Sequence, residues 1–147
     1  MSFNPQRLQL DTAFAHIDKG NYEAAAPVLR RFAEQGDIDA QYQLAFMLEH
    51  GLGVKTDLEG AVHWYAKAAE QGDLAAQFNL AECLEDGVGT AQDYVQAAFW
   101  YAKAAEQGDV DAQNQLARLH AEGLCGPQDY AEAARYWHMA AAQEDDE

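Results

Sequence analysis

A five-residue phrase returns in this chain on a fixed spacing. Ala-Glu-Gln-Gly-Asp occupies residues 33–37, 69–73 and 105–109, 36 residues apart each time. A fourth step lands on Ala141-Ala142-Gln143-Glu144-Asp145, where the phrase decays. No other feature constrains the fold as much. A unit of this length cannot bury its apolar face alone, so copies must stack on one another. Aligned at this period, whole columns coincide: Ala40, Ala76 and Ala112, then Gln41, Gln77 and Gln113. Leu44, Leu80 and Leu116 align, as do Gly51, Gly87 and Gly123, and Asp57, Asp93 and Asp129. Trp64-Tyr65 matches Trp100-Tyr101, and the third copy inverts the pair to Tyr136-Trp137.

Each unit predicts two helices. The first spans about 38–50, 74–86 and 110–122, with Ala40, Leu44, Ala45 and Leu48 at helical spacing. A glycine follows, where a left-handed C-cap costs least. A loop such as GVGTAQD then ends on an aspartate placed to cap the second helix. Gln96 and Glu132, three residues after Asp93 and Asp129, are expected to complete capping boxes. The second helix is predicted over 58–71, 94–107 and 130–143. AEQGD is therefore a joint: one helix ends, glycine takes a positive φ, and aspartate caps the next helix. Glycine there saves about 1 kcal/mol over a residue with Cβ, and the cap is worth about 1 kcal/mol over alanine. Upstream, helices are expected at 5–18 and 22–35, with Pro27 inside the second as a source of a kink.

Composition agrees. Apolar residues make up 49% of the 147, so a packed core is expected and disorder is not. The formal net charge of -16 repels phosphates and anionic lipid heads, which disfavours nucleic acid and membrane surfaces as partners. No run approaches the roughly 18–20 apolar residues of a membrane span, so membrane insertion is not expected. The first residues lack a basic segment followed by an apolar run. Cys83 and Cys125 are accordingly expected as free thiols in a reducing, cytoplasmic setting.

The phrases HWYAKAAEQGD and FWYAKAAEQGD, with the loop pairs Gly51/Gly53 and Gly87/Gly89, resemble the Sel-1-like repeat, a relative of the tetratricopeptide repeat. The resemblance covers about residues 37–143. Residues 7–36, with KGNYEAA before Pro27, look more like a tetratricopeptide unit. The third copy departs in carrying Cys125 where Gly53 and Gly89 stand. The resemblance implies an all-α, right-handed α-solenoid superhelix of four antiparallel helix pairs. It would form a single domain over 1–143, with pairs at 5–36, 37–72, 73–108 and 109–143 and an acidic tail at 144–147. It further implies a protein-interaction adaptor whose concave face is lined by the first helix of each repeat. Secreted members carry a disulfide within each repeat, and no copy here has the two cysteines for one.

Catalytic constellations are missing from the residues, and no cofactor is expected. The one serine, Ser2, sits in the terminal segment, so a serine triad is not expected. The five histidines form no HExxH and meet no cysteine pair at zinc spacing, which gives no metal site. His120 lies in the column of Leu48 and Leu84 and is expected as a core or edge residue. GVGTAQD lacks the lysine-hydroxyl ending of a phosphate loop and follows a helix, not a strand. Cys125 has no activating neighbour suggested by the sequence.

Columns that repeat report packing; columns that vary are available to a partner. On the first helices these are Tyr42, Phe78 and Asn114, then Phe46, Glu82 and Arg118, then Glu49, Glu85 and Ala121, flanked by His50, Asp86 and Glu122. Aromatic anchors within a carboxylate rim suit a basic or amphipathic protein segment. The competing reading is that Phe46 and Phe78 pack within the repeats. Tyr136, Trp137 and Met139 form a candidate self-association edge. The leading functional reading is a non-catalytic adaptor or scaffold. The alternative is a regulatory subunit that senses a small ligand or modulates a partner enzyme.

Overall fold

A computed structural model describes residues 4–144, and those residues contain eight α-helices and no strand. The chain divides between Gln71 and Gly72 into two compact units. The first holds α1 (Pro5–Asp18), α2 (Tyr22–Glu34), α3 (Ile38–His50) and α4 (Leu58–Glu70). The second holds α5 (Leu74–Asp86), α6 (Tyr94–Glu106), α7 (Val110–Glu122) and α8 (Tyr130–Glu144). Within each unit every helix packs on the next in sequence. The predicted elements are all present, with ends shifted by one residue at α2, α4, α6 and α8. Glu144 closes α8, while Ser2 and the rest of the acidic tail lie outside the described residues.

The joint forms as the phrase predicts. Gly36, Gly72 and Gly108 adopt φ of 94°, 97° and 92°. The following aspartates cap through their side chains: Asp37 accepts from the Ala40 amide (2.9 Å), Asp73 from Ala76 (2.8 Å) and Asp109 from Ala112 (2.6 Å). The longer loops are closed by backbone bonds onto the preceding helix, such as Asp57 N to Leu48 O (2.9 Å) and Asp93 N to Leu84 O (2.7 Å). Asp57, Asp93 and Asp129 then cap α4, α6 and α8 through the amides of Gly60, Gln96 and Glu132. The reciprocal half of the box forms at neither Gln96 nor Glu132, because the amides it would use already donate to the preceding helix, Asp93 N to Leu84 O and Asp129 N to His120 O (2.9 Å). The Glu132 carboxylate turns instead to Arg135 one turn along. Gly53 meets a different demand: a Cβ there would lie 2.4 Å from the Tyr22 carbonyl carbon, so the loop touches α2 backbone to backbone. Cys125 occupies that column in the last copy without a positive φ.

The pairs are antiparallel, and their register is visible in side-chain bonds. On α3 and α4, Glu49 meets Tyr65 while Gln41, eight residues earlier, meets Gln71, six residues later. The core between them is mostly alanine: Ala40, Ala45, Ala61 and Ala68 in the first unit are fully enclosed, and Ala81, Ala97, Ala104 and Ala112 in the second. Small side chains bring the helix backbones close. The large enclosed residues are Leu29, Leu44, Met47 and Tyr65 in one unit, and Tyr101, Leu116 and Leu119 in the other. Trp64 and Trp100 are half-buried and sit edge-on to His63 and Phe99.

The glutamine of AEQGD has a role beyond the joint. Gln71, Gln107 and Gln143 each donate a side-chain N–H to the buried amide oxygen of Gln41, Gln77 and Gln113, at 2.7, 2.8 and 3.1 Å. Gln41 and Gln113 in turn donate to the Ala33 and Ala105 carbonyls of the preceding helix (3.0 and 3.2 Å). A buried amide so satisfied carries no desolvation penalty and ties three successive helices together. This gives a reason for Gln143 to persist where the glutamate and glycine of the phrase are replaced by Ala142 and Glu144. Gln113, 1% exposed, supplies the test. Gln113→Leu leaves the Ala105 carbonyl and the Gln143 amide without their partner and should cost about 2 kcal/mol. Denaturant unfolding measures it, and a change within a few tenths of a kcal/mol would refute the staple.

Candidate functional site

The varying columns lie on α3 in the first unit and on α5 and α7 in the second, and the structure sorts their members. Tyr65 and Tyr101 are buried to 0% and 1% exposure. Each hydroxyl needs an acceptor, and each finds one at the end of the paired helix: Tyr65 donates to Glu49 (2.7 Å) and Tyr101 to Glu85 (2.9 Å). Glu49 and Glu85 therefore belong to the packing as well as to the surface. The third copy changes both partners together, with Ala121 in the glutamate column and Trp137 in the tyrosine column. That paired change was the sequence signal for the contact. Burial first, then the bond to Glu85 and the charges of Glu85 and Glu82, push the Tyr101 phenol far above its ordinary value.

The aromatic members are half-buried. Phe78 lies edge-on to Tyr101 with ring centroids 5.5 Å apart, and Tyr42 lies 5.8 Å from Tyr65. Phe46 leans on the exposed His50 ring at 4.3 Å, and His50 Nδ1 lies 2.9 Å from the Phe46 carbonyl oxygen. Packing within the repeat thus uses part of each ring. The polar members differ: Glu82, Asp86, Asn114 and Glu122 are exposed. Arg118 reaches from α7 to Glu85 on α5, and also bonds Glu122 (3.2 Å) and Gln115 (3.1 Å). Burial works against the Arg118 charge, but the Glu85 and Glu122 carboxylates outweigh it and hold its pKa above the usual range.

At the other candidate surface, Trp137 and Met139 on α8 are 44% and 36% exposed. Tyr136 is half-buried, stacked parallel to His120 at 6.0 Å and covered by the Arg135 guanidinium at 4.3 Å. His120 is half-buried at the helix end, and its Nδ1 lies 3.8 Å from Cys125 Sγ, a neighbour five residues away that the sequence reading did not connect. Burial pushes the Cys125 thiol up, so the contact does not make a thiolate. Cys83 is enclosed in the core. Among the described residues no group of three or more His, Cys, Asp or Glu is arranged to hold a metal, and no helix is long and apolar enough to cross a membrane.

This arrangement of paired helices and recurring side-chain bonds can be set against known families. The Sel1 repeat model matches three consecutive segments, residues 38–73, 74–109 and 110–145. The chain is a Sel1 repeat protein. Its fold is similar to that of a protective antigen present in uropathogenic Escherichia coli strains, which displays an SLR fold: TM-score 0.89 and 30% identity over 94% of this chain and 30% of that one. A Sel1 repeat protein from Oxalobacter formigenes aligns with TM-score 0.83 and 36% identity over 90% of this chain and 55% of that one. Helicobacter pylori cysteine rich protein B, at 20% identity, shares the fold with TM-score 0.59 over 73% of this chain and 91% of that one. The chain thus spans about a third to a half of the first two. No curated protein matches it. The fold class is the all-α Sel1 repeat solenoid. Sel1 repeat proteins are in general protein-interaction modules, and the family is in general a non-catalytic scaffold.

The Tyr–Glu bond of this Sel1 repeat has a consequence at high pH. Tyr101 has a raised folded pKa against an ordinary value of 10.0. Its contribution is therefore full below pH 10 and is lost as pH climbs above 10 toward the folded value, where only the unfolded chain releases the proton. Wild-type protein should lose stability more steeply above pH 10 than Tyr101→Phe. Parallel urea midpoints for the two proteins across that range check this, and equal slopes would refute it.

Proposed function

We propose that this chain is a non-catalytic adaptor that binds a basic or amphipathic protein segment along the first helices of its repeats. One observation carries the reading. Glu82 and Asp86 are exposed on α5 one and two turns beyond the half-buried Phe78, and Glu122 is exposed at the matching end of α7. A face of carboxylates beside an aromatic side chain favours lysine- or arginine-bearing partners and speeds their association at low salt. The net charge of -16 acts in the same direction and against nucleic acid. The cytoplasm is the compartment we assign, because Cys83 and Cys125 stand in different repeats and neither repeat has the second cysteine that a disulfide within it needs.

We further propose that the exposed Trp137 and Met139 of α8 support weak self-association. Sedimentation across a wide concentration range should give a rising mass that Trp137→Ser abolishes. A single constant mass overturns it.

For the adaptor reading, Phe78 is a poor probe, since its ring supports Tyr101. Glu82 and Asp86 are better, being exposed. In affinity capture from native cells, Glu82→Lys/Asp86→Lys should recover partner at least about tenfold less well than wild type, with an unchanged circular dichroism melt. Undiminished recovery by the folded double variant sinks the proposal.

A further inference from the structure

The second unit holds an arginine against a repeat glutamate, and the first unit holds the same glutamate without one. In the second unit Glu85 Oε2 accepts the Tyr101 hydroxyl, and Glu85 Oε1 accepts the Arg118 guanidinium. In the first unit Glu49 Oε2 accepts the Tyr65 hydroxyl (2.7 Å), with His50 Nδ1 3.8 Å away. Among the described residues no lysine or arginine pairs with Glu49. Its side chain is 28% exposed, against 14% for Glu85 beneath Arg118. A carboxylate already fixed by a buried tyrosine is held in place before any ligand arrives, so little side-chain entropy is lost on binding.

We propose that Glu49 is a recognition site for an arginine of the partner protein, and that Arg118 on Glu85 shows within this chain how such an arginine is held. This rests on the adaptor reading and names its specificity. Arginine suits the site better than lysine. Arg118 uses all three guanidinium nitrogens, on Glu85, Glu122 and Gln115, a fork that an ammonium cannot reproduce. In the first unit the His50 ring stands beside the carboxylate, with Phe46 packed on that ring, and gives the planar cation an aromatic neighbour.

The same stripe supplies the apolar half of the recognition element. Tyr42, seven residues before Glu49, lines a groove of about 270 Å³ with Phe14 and Arg7 of α1 and with Asp39 and Gln43 of α3. Arg7 is paired to Asp11 (3.2 Å) at its rim. Seven helical residues span about 10 Å at 1.5 Å each. An extended segment covers that distance in about three residues. The occupant is therefore a protein segment with an apolar side chain and an arginine three positions apart, the first in the α1–α3 groove and the second on Glu49.

The test uses the whole chain, labelled with ¹⁵N, and four peptides: acetyl-Leu-Ala-Ala-Arg-amide, acetyl-Arg-Ala-Ala-Leu-amide and their lysine counterparts. One arginine peptide should give saturable amide shifts at Tyr42, Phe46, Glu49 and His50. Its lysine counterpart should bind several-fold more weakly. Glu49→Gln retains an oxygen for the Tyr65 hydroxyl and should weaken binding about tenfold through the lost charge alone. Arg118→Gln should open a second site, with new shifts around Glu85. No saturable shift with either arginine order, equal binding by Glu49→Gln, equal binding of lysine, or no second set in Arg118→Gln would each overturn the inference. Partner capture separates it from its premise. Capture lost in Glu82→Lys/Asp86→Lys but retained in Glu49→Gln overturns the arginine site alone. Capture retained in both is the failure of the adaptor reading.

Discussion

Everything in this structure depends on a chain reversal made in three residues. The second helix of a pair stops, a glycine takes a conformation that costs other residues about 1 kcal/mol, and an aspartate side chain satisfies the first amides of the next helix. The connection leaves no slack. It recurs with one geometry, φ near 92–97° at each glycine, and the contacts within the pairs it connects recur as well. Gln71 reaches Gln41 as Gln107 reaches Gln77, and Tyr65 reaches Glu49 as Tyr101 reaches Glu85.

Those meetings solve a problem created by the core. Alanine-rich interfaces let helix backbones approach closely, but they bury whatever polar groups lie nearby, and an unpaired buried group costs 1–3 kcal/mol. The repeat answers with long side chains that reach from one helix to its neighbour. Glutamine amides close onto backbone carbonyls and onto each other, and carboxylates take the phenols. Among the described residues no buried side-chain nitrogen or oxygen is left without a partner. Polar residues thus set the register that alanine alone would leave loose.

Function is what remains after that accounting. Varying columns in a repeat are a reasonable place to look for a partner, but variation has two sources. Glu49 and Glu85 change to Ala121 because the tyrosine partner has become Trp137, which is a packing event. The column of His50, Asp86 and Glu122 changes while exposed in every copy, which packing does not explain. Glu49 stands in both classes, with one oxygen committed inward and its side chain still partly open. Cys125 and His120 show the reverse: two residues read separately in the sequence come together at a helix end, where burial keeps the thiol protonated.

The sequence by itself determined the helices, their caps and the joints. A helix end is decided within four residues by backbone hydrogen bonding, and Asp37, Asp57, Asp73, Asp93, Asp109 and Asp129 each cap where the period places them. It misplaced the reciprocal capping-box bonds of Gln96 and Glu132, because the Asp93 and Asp129 amides are taken by the Leu84 and His120 carbonyls of the preceding helix. Only the tertiary structure decided which polar side chains are structural. The glutamine staple joins residues 30 apart, and the Tyr–Glu bond joins residues 16 apart. Those partners are chosen by the packing of one helix on another, and no local rule contains that geometry.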